Sequence, residues 1–313
     1  MRKIAYLVAA AMVAVSMPAN AQQYINILTG GTSGVYYPMG NAMSNLFAKA
    51  IPEAKVSVQA TKASVENLNL LEAGRGELAF TLGDSLSQAW SGVEEAGYKA
   101  PLKKLRGVAG IYPNFIQIVS SQESGIKTLA DLKGKRVSVG APKSGTELNA
   151  RAVFKAAGLS YDDMKVQYLA FGESVELMKN RQLDATLQSA GLGVASIRDL
   201  ASSIAIHIVE IPPAVVAKTG DPAFISTVIP AKTYLGQDKD IPTVSINNFL
   251  VTHQGVSDAV VYSMTKAIFE NLPDLKAAHS AGKDIRLENA AKAMPLPLHP
   301  GAEKYYREKG LIK

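Results

Sequence analysis

Two short stretches concentrate the residue types that could do chemistry. The first is GGTSGVYYP, residues 30–38, where Gly30, Gly31 and Gly34 surround Thr32 and Ser33 directly after the apolar run YINIL. The second is Ser144-Gly145-Thr146-Glu147, after the run RVSVGAPK. Each falls between a strand pattern and a helix pattern. A helix N-terminus carries unpaired N–H groups and about half a positive charge, so it favours anions. Glycine permits close backbone approach, and the hydroxyls of Thr32, Ser33, Ser144 and Thr146 can donate to a ligand. The combination suits a carboxylate, phosphate or sulfate. The same residue types also make ordinary helix caps and chain turns. Two such turns in one chain favour a ligand cleft.

Other chemistries find little support. The first stretch lacks the Gly-Lys-Ser/Thr ending of a nucleotide phosphate loop and the Gly-x-Gly-x-x-Gly spacing of a dinucleotide fold. Neither Ser33 nor Ser144 sits in a Gly-x-Ser-x-Gly elbow, so a secreted serine hydrolase would need a base that the sequence does not place. His207, His253, His279 and His299 have no metal-ligand spacing, and the chain has no cysteine. No cofactor and no metal site are expected. Asp162-Asp163 reads as a cap, Glu94-Glu95 as a solvated face, and Trp90 as packing at the end of a helix.

The elements that must position these turns follow from periodicity. Strand patterns cover 24–30, 55–61, 77–83, 107–121, 136–141, 166–171, 185–190, 206–211 and 247–253. Helix patterns cover 37–50, 64–73, 145–157, 174–180 and 192–201. Strands alternating with helices imply an α/β fold with parallel sheets. The strand–turn–helix plan of residues 24–47 recurs at 136–158, which implies two lobes whose helix N-termini face one another across a central cleft. The long strands 107–121 and 241–253 are the expected crossings, with bending near 112–115 and 247–250. Lobe I is expected to hold residues 22–112 and 245–313, and lobe II residues 113–244. Beyond Val256 the chain reads as mostly helical, closed by Pro295, Pro297 and Pro300.

Met1-Arg2-Lys3, the apolar run 4–17 and Ala19-Asn20-Ala21 form a secretory signal pattern with cleavage after Ala21, and a periplasmic location follows. The apolar run is shorter than the ~20 residues of a spanning helix, so no stable membrane insertion is expected. The formal net charge is +6 over 313 residues. Its lysines are scattered without an aromatic-interleaved stripe, which disfavours nucleic acid and suits small anions.

The chain resembles the solute receptors of TRAP transporters, of the TAXI family. The resemblance is carried in order by NILTGGTSGVYYPMG, QATKASVENLNLLEAGRGELAFTLGD, LRGVAGIYPNFIQIV, DLKGKRVSVGAPKSGTELNARAVFKAAGL, LDATLQSAGL, IPTVSINNFLVTH and LPLHPGAEKYYREKG. It implies a two-lobed periplasmic-binding-protein fold, type II-like, with hinge strands. It further implies binding of a small organic anion such as glutamate or 2-oxoglutarate, and delivery to TRAP membrane permease subunits. The implied pocket comprises Gly31, Thr32, Ser33, Gly34, Tyr36 or Tyr37, Thr61, Lys62, Ser64, Asp84, Tyr112, Lys143, Ser144, Gly145, Thr146, Glu147, Ser189 and Gly191.

Lys62 and Lys143 depart from the resemblance, standing where relatives often have a small residue such as glycine. Each either rims the cleft or favours a doubly charged ligand. Arg198 is a further candidate cation. The alternatives with the same fold are the binding protein of an ATP-driven importer and a sensor receptor.

Overall fold

The computed structural model describes residues 22–313. The expected signal peptide, residues 1–21, lies outside the described residues. The first apolar run forms β1 (Gln23–Leu28), with Ile25, Ile27 and Leu28 fully buried. It leads through the glycine-rich turn into α1 (Tyr36–Ala50), which buries Met39, Met43, Leu46 and Phe47, a helical stripe, on the sheet. Gly40 sits on that stripe because a Cβ there would lie 2.6 Å from the Thr29 methyl. Then follow β2 (Ala54–Gln59), α2 (Ser64–Glu72), β3 (Leu78–Leu82) and α3 (Gly83–Ser91). β1 pairs in parallel with both β2 and β3.

The long strand β4 (Leu105–Ser121) carries the chain into a second half of the same plan. There β5 (Arg136–Ser138), α4 (Gly145–Ala156), β6 (Lys165–Gln167), α5 (Phe171–Lys179), β7 (Ala185–Ala190) and α6 (Ala195–Ser203) follow one another. β5 lies parallel to β6 and β7. β8 (Ile206–Val209), α7 (Pro213–Lys218) and β9 (Ile225–Ile229) lead to β10 (Ile241–His253), which returns to the first half. α8 (Asp258–Glu270), α9 (Leu272–Ala278) and α10 (Pro300–Glu308) complete the described chain.

Among the described residues ten strands share one sheet, in the order β2-β1-β3-β10-β4-β7-β5-β6, with β8 beside β4 and β9 beside β10. Each half is parallel as expected, but the centre is antiparallel. β10 runs against β3, β4 and β9, and β4 runs against β7 and β8. The reason is that two strands cross between the halves in opposite directions. Their mutual register shifts between Asn247 and Phe249, where Asn247 faces Pro113. Proline has no N–H to give the ladder, so the pairing is weakest there.

Some expectations need correction. The strand at 166–171 ends at Gln167, and Phe171 already starts α5. Pro300 opens α10 rather than closing the chain: it stands at the first helical position, where a missing N–H is harmless, and His299 Nδ1 caps the helix at Gly301. β9 and α7 carried no clear periodic signal. Asp163 caps as expected, within a Ser160/Asp163 capping box. Trp90 lies near the end of α3 beneath Lys103 Nζ, 4.0 Å from the ring centre.

Asn67 on α2 fixes the first half around the cleft. Its fully buried amide donates to the Thr29 and Phe80 carbonyls at 2.7 and 2.9 Å and accepts from Thr61 Oγ1 at 2.6 Å. Asn67→Ala removes three hydrogen bonds, leaving Thr61 Oγ1 and the Thr29 carbonyl their mutual bond at 3.0 Å, and urea unfolding is expected to show a loss of about 2–3 kcal/mol. A loss below about 0.5 kcal/mol would show that water replaces the amide.

Candidate functional site

The turns that follow the strand C-termini of both halves converge on one cavity of about 120 Å³. This is where open α/β sheets place ligands. Gly30, Gly31, Gly34 and Tyr36 line it from the β1–α1 turn, and Thr61, Lys62 and Ser64 from the β2–α2 turn. The second half contributes Ser144, Gly145 and Thr146 from the start of α4, Phe171 from the start of α5, and Ser189 from the end of β7. The volume is below the range of drug-sized sites, so an occupant has few heavy atoms.

Donors dominate its polar lining. Ser64 Oγ accepts the Leu82 N–H and Ser144 Oγ accepts the Glu147 N–H, both at 3.1 Å. A hydroxyl that accepts in this way keeps its own proton to donate. Thr146 presents a third hydroxyl. The first-turn N–H groups of α2 and α4 cannot be satisfied within their helices. Lys62 is the only charged residue among those lining the cavity, and it is exposed to solvent. No lining residue is a carboxylate or a histidine.

The two halves are shut on each other here. The Glu66 N–H donates across the cleft to the Lys143 carbonyl at 3.2 Å. A Cβ on Gly145 would lie 2.6 Å from Ser64 Oγ and 2.7 Å from Leu82 Cδ1. Beside this contact a buried relay runs from the cavity to α3. Ser189 Oγ donates to Asn149 Oδ1 at 2.7 Å, and Asn149 Nδ2 donates to Asp84 Oδ2 at 2.7 Å. Burial pushes the Asp84 carboxyl up to about 7, with Asp221 adding to the rise and hydrogen bonds from the Ser85 backbone and Asn149 opposing it.

Ten of the expected site residues line the cavity: Gly31, Gly34, Tyr36, Thr61, Lys62, Ser64, Ser144, Gly145, Thr146 and Ser189. Of the tyrosine pair, Tyr36 faces it; its ring stacks on Phe80 at 5.0 Å and its hydroxyl donates to Asn248. Tyr37, Thr32 and Ser33 lie outside the lining: Tyr37 follows Tyr36 on α1 and points to another side of the helix, Thr32 is exposed in the turn, and Ser33 packs beside Gly172 at the start of α5. Asp84 is two hydrogen bonds away from the lining, through Asn149 to Ser189, and Tyr112 and Gly191 are buried beneath the cavity. Glu147 turns to Arg151 Nε at 2.6 Å and accepts from Tyr161 at 3.0 Å. Lys143 is exposed in a turn at φ 60°, a conformation that explains a preference for glycine there. In the other loop the residue with positive φ is Ala63 (φ 72°), not Lys62. Arg198 lies in a separate surface groove with Tyr234 and Leu235. Asn114, Leu82 and Phe171 were missed; the signal for Asn114 was an amide inside the apolar crossing strand.

The architecture is that of the two-lobed periplasmic binding proteins. An alkanesulfonate-binding protein, SsuA of Xanthomonas axonopodis pv. citri, solved with MOPS, shares it at 16% identity and a TM-score of 0.51, covering 93% of this chain and 94% of that one. PhnD1 of Prochlorococcus marinus, solved with methylphosphonate, does so at 12% identity and 0.59, over 93% and 100% of the two chains. A candidate L-cystine ABC transporter of Listeria monocytogenes matches at 14% identity and 0.51, over 86% and 98%. The chain itself belongs to the NMT1-like family, whose profile matches residues 27–310.

Two outcomes follow from this geometry. Gly145→Ala places a methyl between the lobes while favouring the helix, so anion affinity should fall at least tenfold with unfolding temperature held or raised; unchanged affinity would show that closure needs no such contact. Asp84 has a folded pKa above its unfolded value near 4, so its contribution is greatest at low pH and is lost as pH rises from about 4 to about 7. Asp84→Asn should remove that decline in a stability–pH profile, and parallel profiles for the two proteins would contradict it.

Proposed function

We propose that this protein is an extracytoplasmic solute-binding receptor that holds a small organic anion between its lobes for a membrane importer. The observation that carries this is the cavity between the starts of α2 and α4, lined by the hydroxyls of Ser64, Ser144 and Thr146 and free of carboxylates. The sulfonate and phosphonate ligands named for SsuA and PhnD1 support an oxyanion head group. Lobe I comprises 22–112 and 245–313 and lobe II 113–244, with bending near 112–115 and 247–250, where the β4–β10 register shifts.

The reading is of a receptor and not an enzyme: the lining holds no histidine or carboxylate to serve Ser144 as a base, and its one amine, Lys62, is exposed to solvent. For the membrane partner, the ATP-driven importer has the better support, since one of the structural neighbours is described as an ABC transporter. Delivery to TRAP permease subunits, the finer reading of the TAXI resemblance, is the second candidate. Transport by reconstituted permease with ATP alone supports the first, and transport requiring an ion gradient supports the second.

The receptor is tested by thermal unfolding against glutamate, glutamine, 2-oxoglutarate, C4 and C5 dicarboxylates, sulfate, phosphate, ethanesulfonate and methylphosphonate. An anion at about a hundred times its Kd should add ~2.7 kcal/mol, a shift of several degrees. Lys62→Met should weaken dianions more than monoanions, because Lys62 is the charge at the cavity. A panel without any shift rejects the receptor reading.

A further inference from the structure

Asn114 sits on the crossing strand β4, lines the cavity and is 3% exposed. Its Nδ2 donates to the Ser189 carbonyl at 3.0 Å, and its Oδ1 is buried without a partner. The amide cannot be turned over, because that would set Oδ1 against a carbonyl, which only accepts. Three neighbouring donors are committed elsewhere, the Tyr36 hydroxyl to Asn248, the Ser189 hydroxyl to Asn149 and the Asn149 amide to Asp84, and the buried Tyr112 hydroxyl, two residues along β4, does not bond Oδ1 and is itself without a partner. An acceptor buried in this way costs about 1–3 kcal/mol unless something donates to it.

We infer that the ligand supplies this donor: besides its anionic head it carries an O–H or N–H that Asn114 Oδ1 accepts. The head is held by the donors of Ser64, Ser144 and Thr146. The cavity of about 120 Å³ leaves little length between the two ends, so the donor lies close to the head. The ligand class is therefore the small hydroxy- or amino-substituted organic anions, not the plain ones. Asn114 is the residue that separates the two, since a site built to pair with a ligand hydroxyl rejects its absence strongly.

This inference rests on the receptor reading, and matched pairs separate the two. Calorimetric titration of the ligand-stripped protein would compare 2-hydroxyglutarate with glutarate, lactate with propionate, and 2-hydroxyethanesulfonate or taurine with ethanesulfonate. In each pair that binds, the donor-bearing member is expected to bind at least tenfold tighter. Asn114→Ala, or Asn114→Ser should the alanine variant misfold, should bring the members within about threefold. Equal affinities in the wild type overturn the inference and assign Oδ1 to a buried water. A preference that survives both substitutions removes Asn114 from the explanation. Binding by no anion at all rejects the receptor reading and this inference with it.

Discussion

The closed form depends on two helix N-termini meeting head to head. At Gly145 and Ser64 the starts of α4 and α2 are so close that a single methyl would not fit between them. Each end carries about half a positive charge, so their approach is repulsive, on the order of 1 kcal/mol at a protein-like dielectric. An anion in the cavity reverses the sign, because it is attracted by both ends. The lobes thus have a physical reason to stay apart when empty and to shut when filled. The glycines and hydroxyls of the turns serve that geometry: glycine permits the approach, and Ser64 and Ser144 quiet one backbone N–H each while keeping a proton for the ligand.

Closure also places Asp84 in the interior. Its carboxylate comes from α3 of one lobe, while its amide partner Asn149 comes from α4 of the other. Asn149 in turn holds Ser189, which lines the cavity. A chain of two hydrogen bonds therefore runs from the ligand space to the interlobe contact. Burial raises Asp84 to about 7, so its negative charge beside the cavity is fully present only well above neutral pH and is withdrawn as the pH falls below it.

The local part of this design was legible in the sequence. Gly31, Gly34, Ser144, Gly145 and Thr146 lie in turns whose chemistry is set by neighbours in the chain, and the structure brings all five to the cavity. Residues whose role depends on distant packing were not legible. Tyr112 and Asn114 are two apart on β4, yet the larger, aromatic residue is buried beneath and the amide lines the site. Glu147 sits in the right turn but is drawn aside by Arg151 and Tyr161, a contact that spacing alone does not show. The antiparallel centre of the sheet escaped for the same reason: alternating strands and helices imply parallel pairing, and only the crossings β4 and β10 break it.

Those crossings tie recognition to motion. Asn114 pairs with Ile246, one step from the facing pair Asn247 and Pro113 where the register shifts. Asn248, on the same stretch, donates to the Tyr112 carbonyl and accepts from the Tyr36 hydroxyl at the cavity wall. The segment expected to bend is thus also the segment that carries the cavity's unpartnered acceptor. If the lobes rotate about Pro113 and Asn247, as proposed, Asn114 moves relative to Ser189 and to the starts of α2 and α4. A ligand that fills all of these contacts at once holds the hinge in a single setting, and one that fills only the anion cradle leaves Asn114 unsatisfied and the hinge less tightly held.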